Sequence, residues 1–100
     1  VGLFYLRRDV KKENDYIYIL YSAKIDQYYV GIVNDPENRL FYHNLGLKGW
    51  TKRGIPWKLV FTKSYTSKEA AGKAERFIKS QKNKTFIEKI INGEYNLPEC

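Results

Sequence analysis

The sequence holds one cysteine, Cys100, and one histidine, His43, in 100 residues. A lone thiol cannot close an internal disulfide and provides no metal cluster, a usage that suits a reducing cytoplasm. Long apolar runs are missing too. Nothing approaches the roughly 20 residues needed to cross a membrane, and VGLFYLRRDVKKEND is too polar for a secretory leader. No repeat, low-complexity tract or linker interrupts the chain. Acidic residues are in deficit, with Asp+Glu at 11 against Lys+Arg at 18, for a formal net charge of +7. Such a field favours polyanions, nucleic acid first and acidic membrane surfaces second, although many small basic proteins have no such partner.

What is present is a packed globule: 43% hydrophobic and 16% aromatic residues, enough for one small core. DYIYILYS alternates bulky β-formers and predicts a strand over 16–21; SAKIDQ reads as a hairpin loop and YYVGIV (28–33) as the returning strand. NDPENRLFYHNLG carries helix-start chemistry in Asp35, Pro36 and Glu37, and a stop at Gly46. GLKGWTKRGIP (46–56) reads as a basic loop, and WKLVFTKS (57–64) as a third strand. Residues 67–81 form an amphipathic helix with Ala70, Ala71, Ala74, Phe77 and Ile78 on one face. TFIEKIINGEY predicts a last short helix, with Thr85 and Glu88 at capping-box spacing, an apolar stripe of Phe86, Ile87, Ile90 and Ile91, and Gly93 as its close. The fold class is therefore α/β in the loose sense (α+β): a small, mainly antiparallel three-stranded sheet flanked by helices, in the order β-β-α-β-α-α. The domain is expected over 15–93, between an N-terminal arm (1–14) and a C-terminal tail (94–100).

The stretch YYVGIVNDPENRLFYHN concentrates unusual residues. Strand parity puts Tyr16, Tyr18 and Leu20 on one face, and Tyr29, Gly31 and Val33 on one face of the partner. A strand glycine marks a bulge, tight packing or close approach of another group. In the following helix Leu40, Phe41 and Leu45 read as the buried stripe, which leaves Arg39 and His43 together, one turn apart, on another side. Glu75 lies about 100° from the centre of the apolar face of its own helix, on the border between core and solvent. There it could face a cleft or simply pair with Lys79.

With YIY at 16–18, YVG at 29–31, Arg39 ten residues past Tyr29, then His43 and a later helical glutamate, the chain resembles the GIY-YIG endonuclease superfamily. TKRGIPWKLVF and AERFIKSQKNKTFIEKII resemble its small single-domain, YhbQ-like bacterial subgroup. The resemblance spans roughly residues 15–92, with Tyr16 standing where the first tripeptide often has glycine. It implies phosphodiester cleavage with one divalent cation, usually Mg²⁺ with Mn²⁺ as a substitute. On this chain the implied catalytic residues are Tyr18, Tyr29, Arg39, His43 and Glu75, with Glu75 as the metal ligand. Many members carry an asparagine after the glutamate; Asn83 is nearest, and no role is assigned to it.

Hydrolysis needs an activated oxygen nucleophile and charge stabilisation at the phosphate. A phenol with pKa near ~10 is a poor base unless cations lower it. On the implied assignment Tyr18, with Tyr29 or His43, takes a proton from water while Arg39 clamps a phosphate oxygen. Gly31 lets a phosphate come close to the sheet, and Glu75 holds Mg²⁺, an oxygen-seeking ion that keeps most of its waters. Taken singly the tyrosines are ordinary strand aromatics and Glu75 an ordinary surface carboxylate. Lys48, Trp50, Lys52 and Arg53 interleave cations with an aromatic, as a backbone-gripping surface does, and Lys73 and Arg76 extend it. Trp50 reads equally well as a lid on the core.

The expected function is a metal-dependent DNA endonuclease with weak sequence specificity, in repair or recombination. The expected partner is nucleic acid, DNA before RNA, with no membrane, for a cytoplasmic monomer or weak homodimer. Two other readings are a non-catalytic nucleic-acid-binding module on the same fold, and a protein-interaction domain with incidental charge.

Overall fold

The alternation in DYIYILYS gives a strand with two apolar faces, and it becomes the centre of the sheet. The computed structural model describes residues 14–46 and 49–98. In it β1 (Asp15–Ser22) pairs antiparallel with β2 (Gln27–Val33) on one side and β3 (Lys58–Tyr65) on the other, in the order β2-β1-β3. Three helices follow the expected order: α1 (Pro36–Leu45), α2 (Lys68–Gln81) and α3 (Lys84–Ile91). The α+β class and the β-β-α-β-α-α order are thus those read from the sequence. The loop before β3 contains a short 3₁₀ turn, Trp50–Gly54.

The two sheet faces are covered by different helices. Ile17, Ile19 and Val30 meet Ala71, Ala74 and Ile78 of α2 and Ile90 of α3 in the main core. Ile17, Ile19, Ile78 and Ile90 are each at most 1% exposed, and burying one such side chain is worth about 1.5–3 kcal/mol. The opposite face carries a smaller cluster of Tyr18, Leu20 and Trp57, with Leu40 of α1 and Ile55 against it. A bulge on β3 serves both faces: Ile19 pairs with Phe61 but Leu20 with Leu59, so Val60 is the extra residue.

Helix ends follow local chemistry. The Asp35 side chain accepts from the Asn38 N–H, Pro36 opens α1, and Gly46 closes it at φ 69°. Ser67 caps α2 by accepting from the Ala70 N–H. For α3 the expected Thr85–Glu88 box is not the cap. The helix begins earlier, at Lys84, because the Asn83 carboxamide accepts from the Phe86 N–H.

Two expectations about packing are corrected. Helix α1 buries none of its residues: Leu40 is half-buried, but Phe41 is 60% and Leu45 47% exposed. The helix rests on the sheet by one edge, and the rest of the supposed stripe faces outward. Nor do residues 94–98 trail away as a tail. Leu97 is buried in the main core, and the Tyr65 hydroxyl donates to the Pro98 carbonyl. Most of the expected arm lies outside the described residues, as do Lys48 and Cys100.

Candidate active site

The β1–β2 register sets Tyr18 opposite Gly31 and Leu20 opposite Tyr29. A Cβ on Gly31 would stand 2.8 Å from both Cε1 and the hydroxyl oxygen of Tyr18, closer than real contacts allow. The space at this glycine is therefore filled by the Tyr18 ring. This corrects the expectation that it admits a phosphate: Gly31 lets a 2%-exposed tyrosine lie against the neighbouring strand.

Helix α1 supplies the next two groups. Its Asp35–Pro36 start fixes the phase of the helix, and Arg39 and His43 follow one turn apart. His43 Nε2 lies 3.3 Å from the Tyr18 hydroxyl, and its ring meets the Tyr29 ring nearly edge-on at 4.7 Å between centroids. Arg39, His43 and Tyr29 line one cleft of about 510 Å³ together with Tyr42, Trp50 and Thr51. Four of the five residues implied as catalytic, Tyr18, Tyr29, Arg39 and His43, thus converge. Tyr42 was missed by sequence reasoning, although it stands three residues after Arg39 and so shares its side of the helix.

Asn44, also missed, holds this arrangement in place. Its Oδ1 accepts from the Trp57 N–H at 2.6 Å and its Nδ2 donates to the Trp57 carbonyl at 3.1 Å, tying the end of α1 to the start of β3.

The electrostatics of the pair are opposite. Burial, then Tyr29, pushes the Tyr18 phenol well above its ordinary value of 10, and the Arg39 cation only partly offsets this. The expected lowering by cations is thus outweighed, and Tyr18 is a neutral hydroxyl at physiological pH. Burial, then Arg39, holds His43 below its ordinary 6.5. The imidazole is therefore neutral, with a ring nitrogen able to accept the Tyr18 proton.

Glu75 does not line the cleft that holds Arg39 and His43. It lines a broader cleft of about 810 Å³ with Lys73, Arg76 and Ile32, and its charge is felt at Tyr18. Its side chain is 22% exposed and pairs with Lys79 Nζ at 2.9 Å. The structure therefore contains the i,i+4 ion pair weighed as the plain alternative. Among the described residues no three His, Cys, Asp or Glu side chains gather into a metal cage. A single carboxylate with part of its surface in solvent fits a hard ion such as Mg²⁺, which keeps several waters and takes its remaining ligands from substrate phosphates. Lys52 and Arg53 are exposed on the 3₁₀ turn, and Trp50 is 46% exposed rather than a buried lid. Asn83 is engaged as the α3 cap. No helix among the described residues is long and apolar enough to cross a membrane.

The family model of the GIY-YIG catalytic domain matches residues 14–90. The chain belongs to the GIY-YIG family. It is 38% identical over 69 residues to a UPF0213 protein of Streptococcus pneumoniae serotype 4, covering 67% of this chain and 68% of that one. It is 31% identical over 86 residues to the UPF0213 protein YazA of Bacillus subtilis, covering 81% and 86% respectively. No solved structure gives a significant match. Membership of a GIY-YIG catalytic family points to nuclease activity on nucleic acid, and such nucleases generally use divalent metal ions. In this GIY-YIG chain Tyr16 replaces the first glycine of the motif. It pairs with Val33 and Ser64 in mid-sheet, where a side chain is accommodated.

Proposed function

We propose that the protein is a metal-dependent DNA endonuclease whose reacting phosphate sits between Arg39 and the Tyr18–His43 pair. The observation that carries this reading is the 3.3 Å contact of the Tyr18 hydroxyl with a neutral His43 beside Arg39. With His43 protonated at Nδ1, Tyr18 donates to Nε2 and keeps lone pairs free to accept from a water. As that water's oxygen bonds to phosphorus, its proton passes to Tyr18 while the phenol proton moves to His43, so no free phenolate is required. The bond from phosphorus to the leaving oxygen breaks, and solvent protonates the product. Arg39 offers paired N–H donors to the phosphate oxygens, where charge builds up. Tyr29 packs the imidazole edge and fixes its orientation. Glu75 would hold the divalent ion, Mg²⁺ or Mn²⁺, which when bound supplies charge neutralisation at the phosphate.

Lys52, Arg53, Lys73 and Arg76 lie outside the reacting centre and grip phosphates rather than bases, which gives weak sequence preference. Repair or recombination is the setting this chemistry suits, by analogy alone. The test is incubation of the purified chain with linear, branched and single-stranded DNA, with Mg²⁺, Mn²⁺ or chelator. Cutting is expected with either ion and not with chelator; Glu75→Gln should abolish cutting while leaving DNA binding intact. Salt-sensitive binding without cleavage in any ion would instead identify a non-catalytic binding module. Absence of DNA binding at moderate salt would remove both readings.

A further inference from the structure

The cleft that holds Arg39 and His43 ends at a wall made by Trp50 and Tyr29, and a second cleft lies beyond it. These two residues line both spaces. The second cleft measures about 340 Å³, within the ~300–1,000 Å³ range of small-ligand sites. Its lining combines the buried aliphatic residues Val30 and Ile78 with Lys79 and Lys82 at the C-terminal end of α2. The proposed hydrolysis makes no use of this space.

Trp50 is held without being covered. Its ring lies 6.1 Å from that of Tyr29 and 5.9 Å, edge-on, from that of Trp57, yet the residue remains 46% exposed. An indole fixed by neighbours and open to solvent is a stacking platform for a nucleobase. Aliphatic lining suits the rest of the base, and the two ammonium groups suit the phosphate attached to it.

We propose that this cleft is a nucleotide subsite that takes one unpaired nucleotide adjoining the reacting phosphate, its base against Trp50 and its phosphate on Lys82. The proposal rests on the nuclease reading and deepens it. A base inside a duplex has its faces covered by the stack and its edge by its partner, so it cannot enter. The preferred substrate therefore carries an unpaired nucleotide beside the cut, as a frayed end, a flap or a single strand does. Lys79 joins the subsite to the rest of the site, since its Nζ also pairs with Glu75.

The experiment titrates the full chain, in chelator so that nothing is cut, with a thymidine hexanucleotide and with a blunt-ended two-strand duplex, the two matched in total phosphate concentration. The chain has only two tryptophans and Trp57 is 3% exposed, so fluorescence quenching by DNA reports on Trp50. The hexanucleotide should quench and bind more tightly than the duplex. Trp50→Ala lacks this reporter, so its binding is followed by the anisotropy of a dye-labelled hexanucleotide. That binding should weaken by about 5- to 100-fold, the size of one base–aromatic stack, while Trp50→Phe, followed in the same way, should retain most of it. Lys82→Ala should lower the salt dependence by about one phosphate contact. Equal affinity for duplex and single strand, or binding unchanged in both Trp50→Ala and Lys82→Ala, would overturn the subsite and leave the nuclease reading standing. Failure of both DNAs to bind would instead remove the nuclease reading, and the subsite with it.

Discussion

Because His43 is the only imidazole in the chain, its ring protons give an uncrowded NMR titration. The resonance is expected to titrate below 6.5, since burial and then Arg39 disfavour the charged ring. Arg39→Ala should move the midpoint up towards 6.5 without fully reaching it, because burial, the larger cause, remains. A midpoint unchanged by the substitution would separate the two residues electrostatically. The linkage has a definite sign. Above 6.5 the ring is neutral in both folded and unfolded chains and contributes nothing. As pH falls from 6.5 towards the lower folded value, the unfolded chain takes up a proton that the folded chain refuses, so stability drops on acidification. Cleavage through a neutral His43 should persist across that interval and fail only as pH drops through the lower folded value, where the folded ring itself takes up the proton. Tyr18 and Gly31 show where residue-level reading left alternatives open, with tight packing the one the structure contains. The glycine was recognisable as a place of close approach, but the approaching group is another side chain of this chain.

Helix α1 carries two of the proposed reacting groups, Arg39 and His43, and is thinly attached. Leu40 contributes partial burial, and Asn44 clamps both backbone groups of Trp57. Asn44→Ala would leave those groups without their partner and should cost about 1–3 kcal/mol. A urea melt should show that loss together with a fall in turnover, since Arg39 and His43 would no longer be held at Tyr18. A full-length melt without the loss would show that α1 is held by other contacts. The elements themselves were legible because Asp35, Pro36, Gly46 and the alternation of DYIYILYS act locally. The exposure of Phe41 and Leu45 was not: periodicity says which residues share a side of a helix, but not whether another element lies opposite. The start of α3 was misplaced for a similar reason, since Asn83 and Thr85 are both competent caps and packing of the stripe against the sheet selects between them. Convergence of Tyr18, Tyr29, Arg39 and His43 came from family resemblance together with strand parity, whereas Asn44 and Tyr42 carry no motif.

For the molecule as a whole the excess of seven positive charges matters more than any one contact. DNA binding should weaken steeply with added salt, the logarithm of affinity falling by about 0.7–0.9 per neutralised phosphate for each unit of log salt. Replacing Lys73 by Ala should flatten that slope by about one contact and affect different sequences alike, as measured by filter binding across a salt series. A slope near zero would mean that the basic surface does not meet the DNA backbone.

The burial of Leu97 has a practical corollary for anyone shortening the chain. The boundary drawn by sequence similarity stops at residue 90, seven positions before this leucine reaches the interior beside Ile90. A version trimmed to that boundary would keep every proposed reacting group, yet it would lose Leu97 together with Ile91 and Tyr95, which pack against the same core. Low yield or aggregation of such a trimmed protein would therefore be a packing defect and would say nothing about catalysis.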